Sequence, residues 1–330
     1  MTTAAKISLR SALILLLAFC PGFIAAANPQ GPTAPAVVNA DVSRFWSTYD
    51  RVRDVTDPAE RTRLLQTLYI EPGSDGLIAF LEVKGCTAEK YADLLHRYPR
   101  YWASIRSRSE SSINREVALQ PELAKLHALY PATRPAAIYF LVGCMTSGGT
   151  TQGDKVLIGT ELAMGDPEVD ISELPERTQN WLRGYFATRP AEQLALLNVH
   201  EYVHTQQRGP GQTLLAQALY EGAADFIAEQ VTGRLPALAY AEYGPAHLQE
   251  IKAKFAAEMN QADYSAWLYN SNGNSAFGVG DLGYFMGYMI CQAYYERAAD
   301  KQEAIRKIIE LDYTHPNAAT DFLNESGFYP

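Results

Sequence analysis

His200-Glu201-Tyr202-Val203-His204 and, 17 residues after its last histidine, Glu221-Gly222-Ala223-Ala224-Asp225 are the stretches that decide how this chain folds. The first closes a segment that opens at Pro190, a favourable first helical position, and continues through Leu194, Leu196, Leu197 and Val199. Helical residues four apart share a face, so both imidazoles can reach one metal ion. Glu201 follows the first imidazole directly and is placed to contact a water on that ion. The second stretch lies in a helical pattern that runs from Gln212 to Thr232 and stops at Gly233, a natural helix end.

Catalytic zinc sites commonly take three protein ligands and a water, and two histidines with one glutamate are a standard set. The spacing predicts that set here. Arg208-Gly209-Pro210-Gly211 supplies a turn, after which the second helix can return antiparallel and bring Glu221 to the two imidazoles. Gly222, Ala223 and Ala224 are small enough for the helices to close around an ion. Asp225 lies one helical turn beyond Glu221, where it can accept a hydrogen bond from the second nitrogen of a liganding histidine. The expected cofactor is one Zn2+ per chain.

This arrangement resembles the gluzincins, metallopeptidases with His-Glu-x-x-His on one helix and Glu-x-x-x-Asp on the next. The flanks Leu196-Leu-Asn-Val-His-Glu-Tyr-Val-His-Thr-Gln-Gln207 and Leu219-Tyr-Glu-Gly-Ala-Ala-Asp-Phe-Ile-Ala-Glu229 resemble a bacterial family of predicted zinc-dependent proteases. That family is related to gliding-motility lipoproteins of Bacteroidetes. The likeness extends through Arg44-Phe-Trp46 and Gly283-Tyr-Phe-Met-Gly-Tyr288. It implies a zincin-like metallopeptidase fold and a peptide or protein substrate. His200, His204 and Glu221 would be ligands, Glu201 the general base and Asp225 the group orienting a ligand. Such a mechanism also needs a second electrophile for the transition-state oxyanion. Tyr284, with Tyr288 nearby and Asp281 capping their helix, is the candidate.

Outward from this centre, the chain reads as helical from Ser172 to its end, with breaks at 208–212, 233–245 and 270–280. Upstream, Ala137–Val142 and Lys155–Leu162 have strand character and Ser147–Gly153 reads as the turn between them. The expectation is a β-hairpin with a strand at a sheet edge; the strand 155–162 could pair with an extended substrate. Residues 41–134 are helical in pattern, with helices from Asp41 and around 58–70, 87–97 and 114–130. Their aromatics, including Tyr91, Tyr98, Tyr101 and Trp102, suit a core. The fold class is therefore α+β and mostly helical: an N-terminal helical region, 41–134, and a catalytic region, 135–330, in one continuous body.

The composition of the 330 residues, 47% hydrophobic and 20% charged, is that of a globular protein, and a net charge of −9 argues against nucleic acid as a partner. Residues 1–27 read as a signal peptide. Lys6 and Arg10 precede an apolar run, Ser11–Phe19, and Ala25-Ala26-Ala27 offers the cleavage site. Pro21-Gly22 breaks the run, so no permanent transmembrane segment is expected. Leu17-Ala-Phe-Cys20 resembles a lipobox, but bulky Phe19 favours cleavage after Ala27 over lipid anchoring at Cys20. The expected destination is periplasmic or secreted, with a flexible mature N-terminus at 28–40. Export permits a disulfide; Cys86 and Cys144, both beside turn-like glycines, are the plausible pair, and Cys291 suits a buried position. His96 and His127 lie in the helical first part with no partner motif, His247 and His315 read as surface residues, and Arg208 reads as a solvated loop arginine ahead of a contact to a substrate carboxylate. Two other readings stand beside the peptidase. One is an envelope-associated binding or assembly protein that retains the fold, although such a protein has no use for Glu201. The other is hydrolysis of a non-peptide amide or ester. Oligomeric state leaves no mark in the sequence.

Overall fold

A computed structural model describes residues 36–271, 275 and 277–329. The signal peptide at 1–27, Cys20 and residues 28–35 lie outside the described residues. The described chain belongs to one compact unit, Ala34–Pro330, which takes in both the 41–134 and the 135–330 regions. The fold is α+β and mostly helical, with one small sheet. Among the described residues no helix is long and apolar enough to cross a membrane.

The chain enters through β1 (Val37–Val38) and then forms α1 (Ala40–Val52), α2 (Pro58–Leu65), α3 (Asp75–Lys84), α4 (Ala88–Arg97), α5 (Pro99–Ser111) and α6 (Glu116–Leu129). Next come β2 (Ala137–Leu141), β3 (Gly149–Gln152), β4 (Lys155–Gly159) and the one-turn α7 (Thr160–Ala163). The remainder is helical: α8 (Glu176–Ala187), α9 (Leu194–His204), α10 (Leu214–Thr232), α11 (Ala239–Ala246), α12 (Leu248–Glu258), α13 (Leu282–Arg297), α14 (Lys301–Glu310) and α15 (Ala318–Ser326). Local chemistry sets many boundaries. Ser74, Thr87 and Thr213 each place a side-chain oxygen on an amide in the first turn of the following helix. Gly85 and Gly233 close α3 and α10 in the left-handed conformation.

The sheet corrects the expected hairpin. Strand order is β1-β2-β4-β3, with β1, β2 and β4 parallel and β3 antiparallel to β4. Residues 149–152, read as part of a turn, are themselves a strand, because a two-residue turn at Gly153-Asp154 pairs Gln152 with Lys155. Gly153 supplies the positive φ, 59°, that such a turn requires. Strand β4 is therefore interior, and the edges of the sheet are the two-residue β1 and, beside β4, β3. Its successor residues 160–163 turn into helix. Val37 and Val38, expected to be flexible, pair with Ile138 and Tyr139; two β-branched residues suit that added strand. A further difference lies at 233–245, read as a break, where α11 forms. Its buried Tyr240 and the seating of Phe285 against Gly244 hold it on α13.

Helices cover both faces of the sheet. Tyr139 on β2 packs against Gly76 of α3, whereas Gly149 on β3 abuts Leu197 and Glu201 of α9. Tyr139 pairs with Leu157 and Gly149 with its neighbour Ile158, and adjacent strand residues point to opposite faces. Thus α3 and α9 lie on opposite sides. The segment joining β2 to β3 is anchored repeatedly. Tyr69 and Tyr91 both donate to the Val142 carbonyl, at 2.6 and 2.8 Å. The buried Glu161 carboxylate accepts from the Gly143 and Met145 amides, at 2.7 and 3.0 Å. Burial pushes the Glu161 carboxyl up to about 7. A disulfide joins Cys86 to Cys144, and Cys291 is buried and free.

At the centre α10 is buried along most of its length and packs on α9 and α13. The approach to α13 is backbone against backbone: a Cβ at Gly222 would lie 2.1 Å from the Tyr288 amide nitrogen, and one at Gly287 only 1.7 Å from the Ala218 carbonyl oxygen. Gly287→Ala is expected to lower unfolding stability by about 2–3 kcal/mol, the usual scale of an overpacked core. Gly184→Ala, in an exposed turn of α8 with open space around it, should raise stability by about 0.5–1 kcal/mol. Urea unfolding midpoints of the two variants should move in opposite directions.

Candidate metal centre

Two adjacent turns of α9 carry the imidazoles. Arg189 is left-handed and Pro190–Gln193 form a 3-10 turn, so Pro190 opens that turn and the α-helix itself starts at Leu194. His200 and His204 point their Nε2 atoms toward each other at 3.0 Å. Glu221 comes from α10, its Oε2 at 3.2 Å from His204 Nε2 and 3.6 Å from His200 Nε2. One ligand atom from each of the three lies within 4.8 Å of the others, and the group could hold a metal ion.

The surrounding hydrogen bonds show why those atoms suit a cation. His200 Nδ1 lies 2.9 Å from Asp225 Oδ1, and an ionised carboxylate can only accept, so Nδ1 donates. His204 Nδ1 lies 2.6 Å from Gln207 Oε1, whose own amide group donates to the Tyr220 carbonyl at 2.8 Å. Both Nδ1 protons are thereby engaged, which leaves the Nε2 atoms to face Glu221. The electrostatics agree. Burial opposes charge on His200, but the Asp225 and Glu221 carboxylates outweigh it and raise its pKa well above the imidazole value. Burial likewise opposes charge on Glu221, and His204 and His200 overcome it and hold its carboxyl far below the ordinary range. Positive charge is stabilised where the three side chains meet.

Glu201 is buried on the next position of α9. A Cβ at Gly149 would stand 2.6 Å from its Oε1, so its carboxylate rests against the first residue of the open-edged β3. Only glycine permits that approach. Burial raises the Glu201 pKa, the two histidines lower it, Glu221 raises it and Lys84 lowers it, with a net upward shift. Such a carboxylate is placed to take and return a proton.

The residues singled out by sequence divide into those at the cluster and those away from it. His200, Glu201, His204, Glu221 and Asp225 come together. Tyr284 stacks its ring on His200, centroids 6.3 Å apart, and on Tyr240 at 5.4 Å. Tyr288 instead donates to Glu229 at 2.5 Å. Asp281 stands at the start of α13 with a positive φ of 63° and no side-chain capping bond; its carboxylate instead accepts from the Asn270 amide at 2.9 Å. Arg208 acts on Asp312, and His247 stacks on Tyr243.

Sequence reading missed four partners. The Tyr269 hydroxyl donates to Glu221 Oε1 and accepts from Gln217 at 2.5 Å, although more than half of the residue, 57%, is exposed. Tyr240 donates to Asp225 Oδ2 at 2.7 Å. Gln207 holds His204, and Tyr220 stacks on the same ring at 4.5 Å. Gln207 stands in the quoted flank and follows the second histidine by three residues, which is the available sequence signal; the tyrosines carry none. Beside His204 lies a recess of about 580 Å³, bounded by Thr151 and Gly153 of the β3 hairpin, Arg134 and Tyr220.

No family model, curated protein or solved structure matches this chain.

Asp225→Ala removes the acceptor for His200 and leaves the Tyr240 hydroxyl unpaired, and Gln207→Ala does the same to His204. Each substitution is expected to weaken metal affinity about 10–100-fold, measured by competition with a chromogenic chelator. Thr232→Ala, on α10 outside the cluster, should leave that affinity unchanged.

Proposed function

We propose that this protein is an exported zinc metallopeptidase of the gluzincin type, with a zincin-like arrangement of α9, α10 and the mixed sheet. The observation that carries the proposal is the convergence of His200, His204 and Glu221 with buried Glu201 beside them, directly under the open edge of β3. A metal site alone would need only the first three residues. A base aimed at the same point is what hydrolysis adds.

In this reading His200, His204 and Glu221 hold one Zn2+, which when bound lowers the pKa of a water and polarises a carbonyl. An extended peptide pairs with the free edge of β3, whose backbone supplies the hydrogen bonds. That position corrects the one expected from 155–162, because β4 is covered on both sides. Glu201 takes the proton of the attacking water and delivers it to the leaving amine. Asp225, held by Tyr240, and Gln207 keep the imidazoles oriented. Of the tyrosines around the cluster, we assign the oxyanion to Tyr269, whose hydroxyl reaches Glu221 from an exposed position. Tyr284, the residue favoured by sequence, walls His200. The Cys86–Cys144 bridge supports export, since such bonds persist in oxidising compartments.

The test is zinc content together with cleavage of a peptide library. Wild type is expected to bind one Zn2+ and cleave, whereas Glu201→Gln should keep the metal and lose about 10²–10⁴-fold in kcat. Stoichiometric zinc with no cleavage by wild type would overturn the peptidase and leave a binding or assembly protein. Tyr269→Phe is expected to lower kcat by about 10²-fold with little change in KM, and Tyr284→Phe by much less, in steady-state assays on a single cleaved peptide.

A further inference from the structure

At the C-terminal end of α9 lies the recess of about 580 Å³ whose walls include His204 itself. Gly149 and Thr151, two residues apart on β3, point to the same face of the sheet, the one that α9 covers. Gly149 meets Glu201, and Thr151 lines the recess. Two residues of strand span about 7 Å. A peptide paired along β3 with its scissile bond at Glu201 therefore places a neighbouring side chain, or its own terminus, over the recess.

The polar side chains of the recess are unevenly satisfied. Its carboxylate and its amide oxygen have partners: Lys155 donates to Asp154 at 3.3 Å, and Gln207 Oε1 faces His204 Nδ1 at 2.6 Å. Its donors are open. The exposed Arg134 gives one N–H, from Nη2, to the Thr205 carbonyl at 2.7 Å, which fixes the guanidinium one residue beyond His204. No carboxylate of the described residues lies within 4.0 Å of that guanidinium, and its other N–H groups have no bond to them. The Thr151 and Tyr220 hydroxyls, on two further residues of the lining, form no hydrogen bond with a described residue either. A guanidinium is a planar fork of donors alone, and the group that complements it is an acceptor with two oxygens.

We propose that this recess is a carboxylate-binding subsite, in which Arg134 receives either an Asp or Glu side chain of the substrate or the peptide's own C-terminal group. The proposal rests on the peptidase reading for the path of the peptide, and it deepens that reading by naming an anionic substrate class.

Zinc-loaded Glu201→Gln protein, in which peptides bind without being cleaved, provides the test. Four fluorescent peptides of one sequence would be compared by anisotropy: free C-terminus; amidated; amidated with one internal Glu; and amidated with Gln in its place. At least one carboxylate peptide is expected to bind about tenfold more tightly than its neutral counterpart, and the arm that does so identifies the source. Adding Arg134→Gln should bring that ratio to about one. Thr151→Asp, which leaves the Arg134–Thr205 bond in place and sets an anion in the recess, should abolish the preference as well. A ratio near one in the parent protein would overturn the proposal, and so would a ratio that survives both substitutions. An Arg134→Gln loss of equal size on all four peptides would also overturn it, because the arginine then serves α9 or the fold. Zinc content and circular dichroism melting of the two variants separate lost recognition from a damaged centre. N-acetylglutamate and N-acetylglutamine, compared by ligand-observed NMR, probe the recess without a peptide. If no peptide binds or is cleaved by wild type, the peptidase reading falls; N-acetylglutamate binding that Arg134→Gln removes then keeps the anion site, and its absence overturns both. Cleavage by wild type without discrimination would sink the subsite alone.

Discussion

A stripe of polar side chains runs down the inside of an otherwise apolar helix, and much of the structure around it exists to satisfy that stripe. Gln217, Glu221 and Asp225 follow at four-residue intervals on α10, and all three are buried. Polar groups withdrawn from water must find partners or cost several times what a hydrogen bond returns. The partners come from several elements. The Gly211 amide, in the turn before α10, donates to Gln217 at 2.8 Å. Glu221 meets both histidines of α9 and the Tyr269 hydroxyl, and Asp225 meets His200 and Tyr240 of α11. Meeting that requirement draws α9, α11 and the loop before α13 onto one helix. The glycine contact with α13 closes the remaining side.

The sheet has a different role. Four short strands could not bury enough surface to stand alone, and here they are held between α3 and α9. The segment between β2 and β3 is anchored by two tyrosines on one carbonyl, by Glu161 on two amides and by the disulfide. Rigidity there is useful because Gly149, at the end of that segment, touches Glu201. In the proposed peptidase, an edge strand fixed against this buried carboxylate would present a bound chain to it at a defined distance, which lowers the ordering cost of reaching a reactive geometry. The same segment fixes the end of α3 through the bond from Cys86 to Cys144.

Much of the centre was legible because its parts are local. Two histidines one turn apart, and a glutamate and aspartate one turn apart, obey helical periodicity, and the short connection leaves the second helix little freedom except to return. The Cys86–Cys144 pairing was also within reach. Strand pairing was not. An apolar run marks Ala137–Val142 and alternation marks Lys155–Leu162 as strands, but neither says which neighbour each one takes. A single two-residue turn at Gly153-Asp154 changed β4 from edge to interior. The tyrosines were opaque for another reason: the chain has 20 of them, and an aromatic in a helical pattern reads as core whether or not its hydroxyl reaches a carboxylate.

By itself, then, the sequence determined the α+β class and the helices that carry His200, His204, Glu221 and Asp225, because each depends on periodicity, end signals or residue chemistry over short spans. The tertiary structure decided what depends on distant segments meeting. It made β3 an edge strand, put Tyr269 on Glu221 and Tyr240 on Asp225, and turned Tyr288 away to Glu229. Such meetings follow from packing against a common core, and packing is a property of the whole chain that no local window contains.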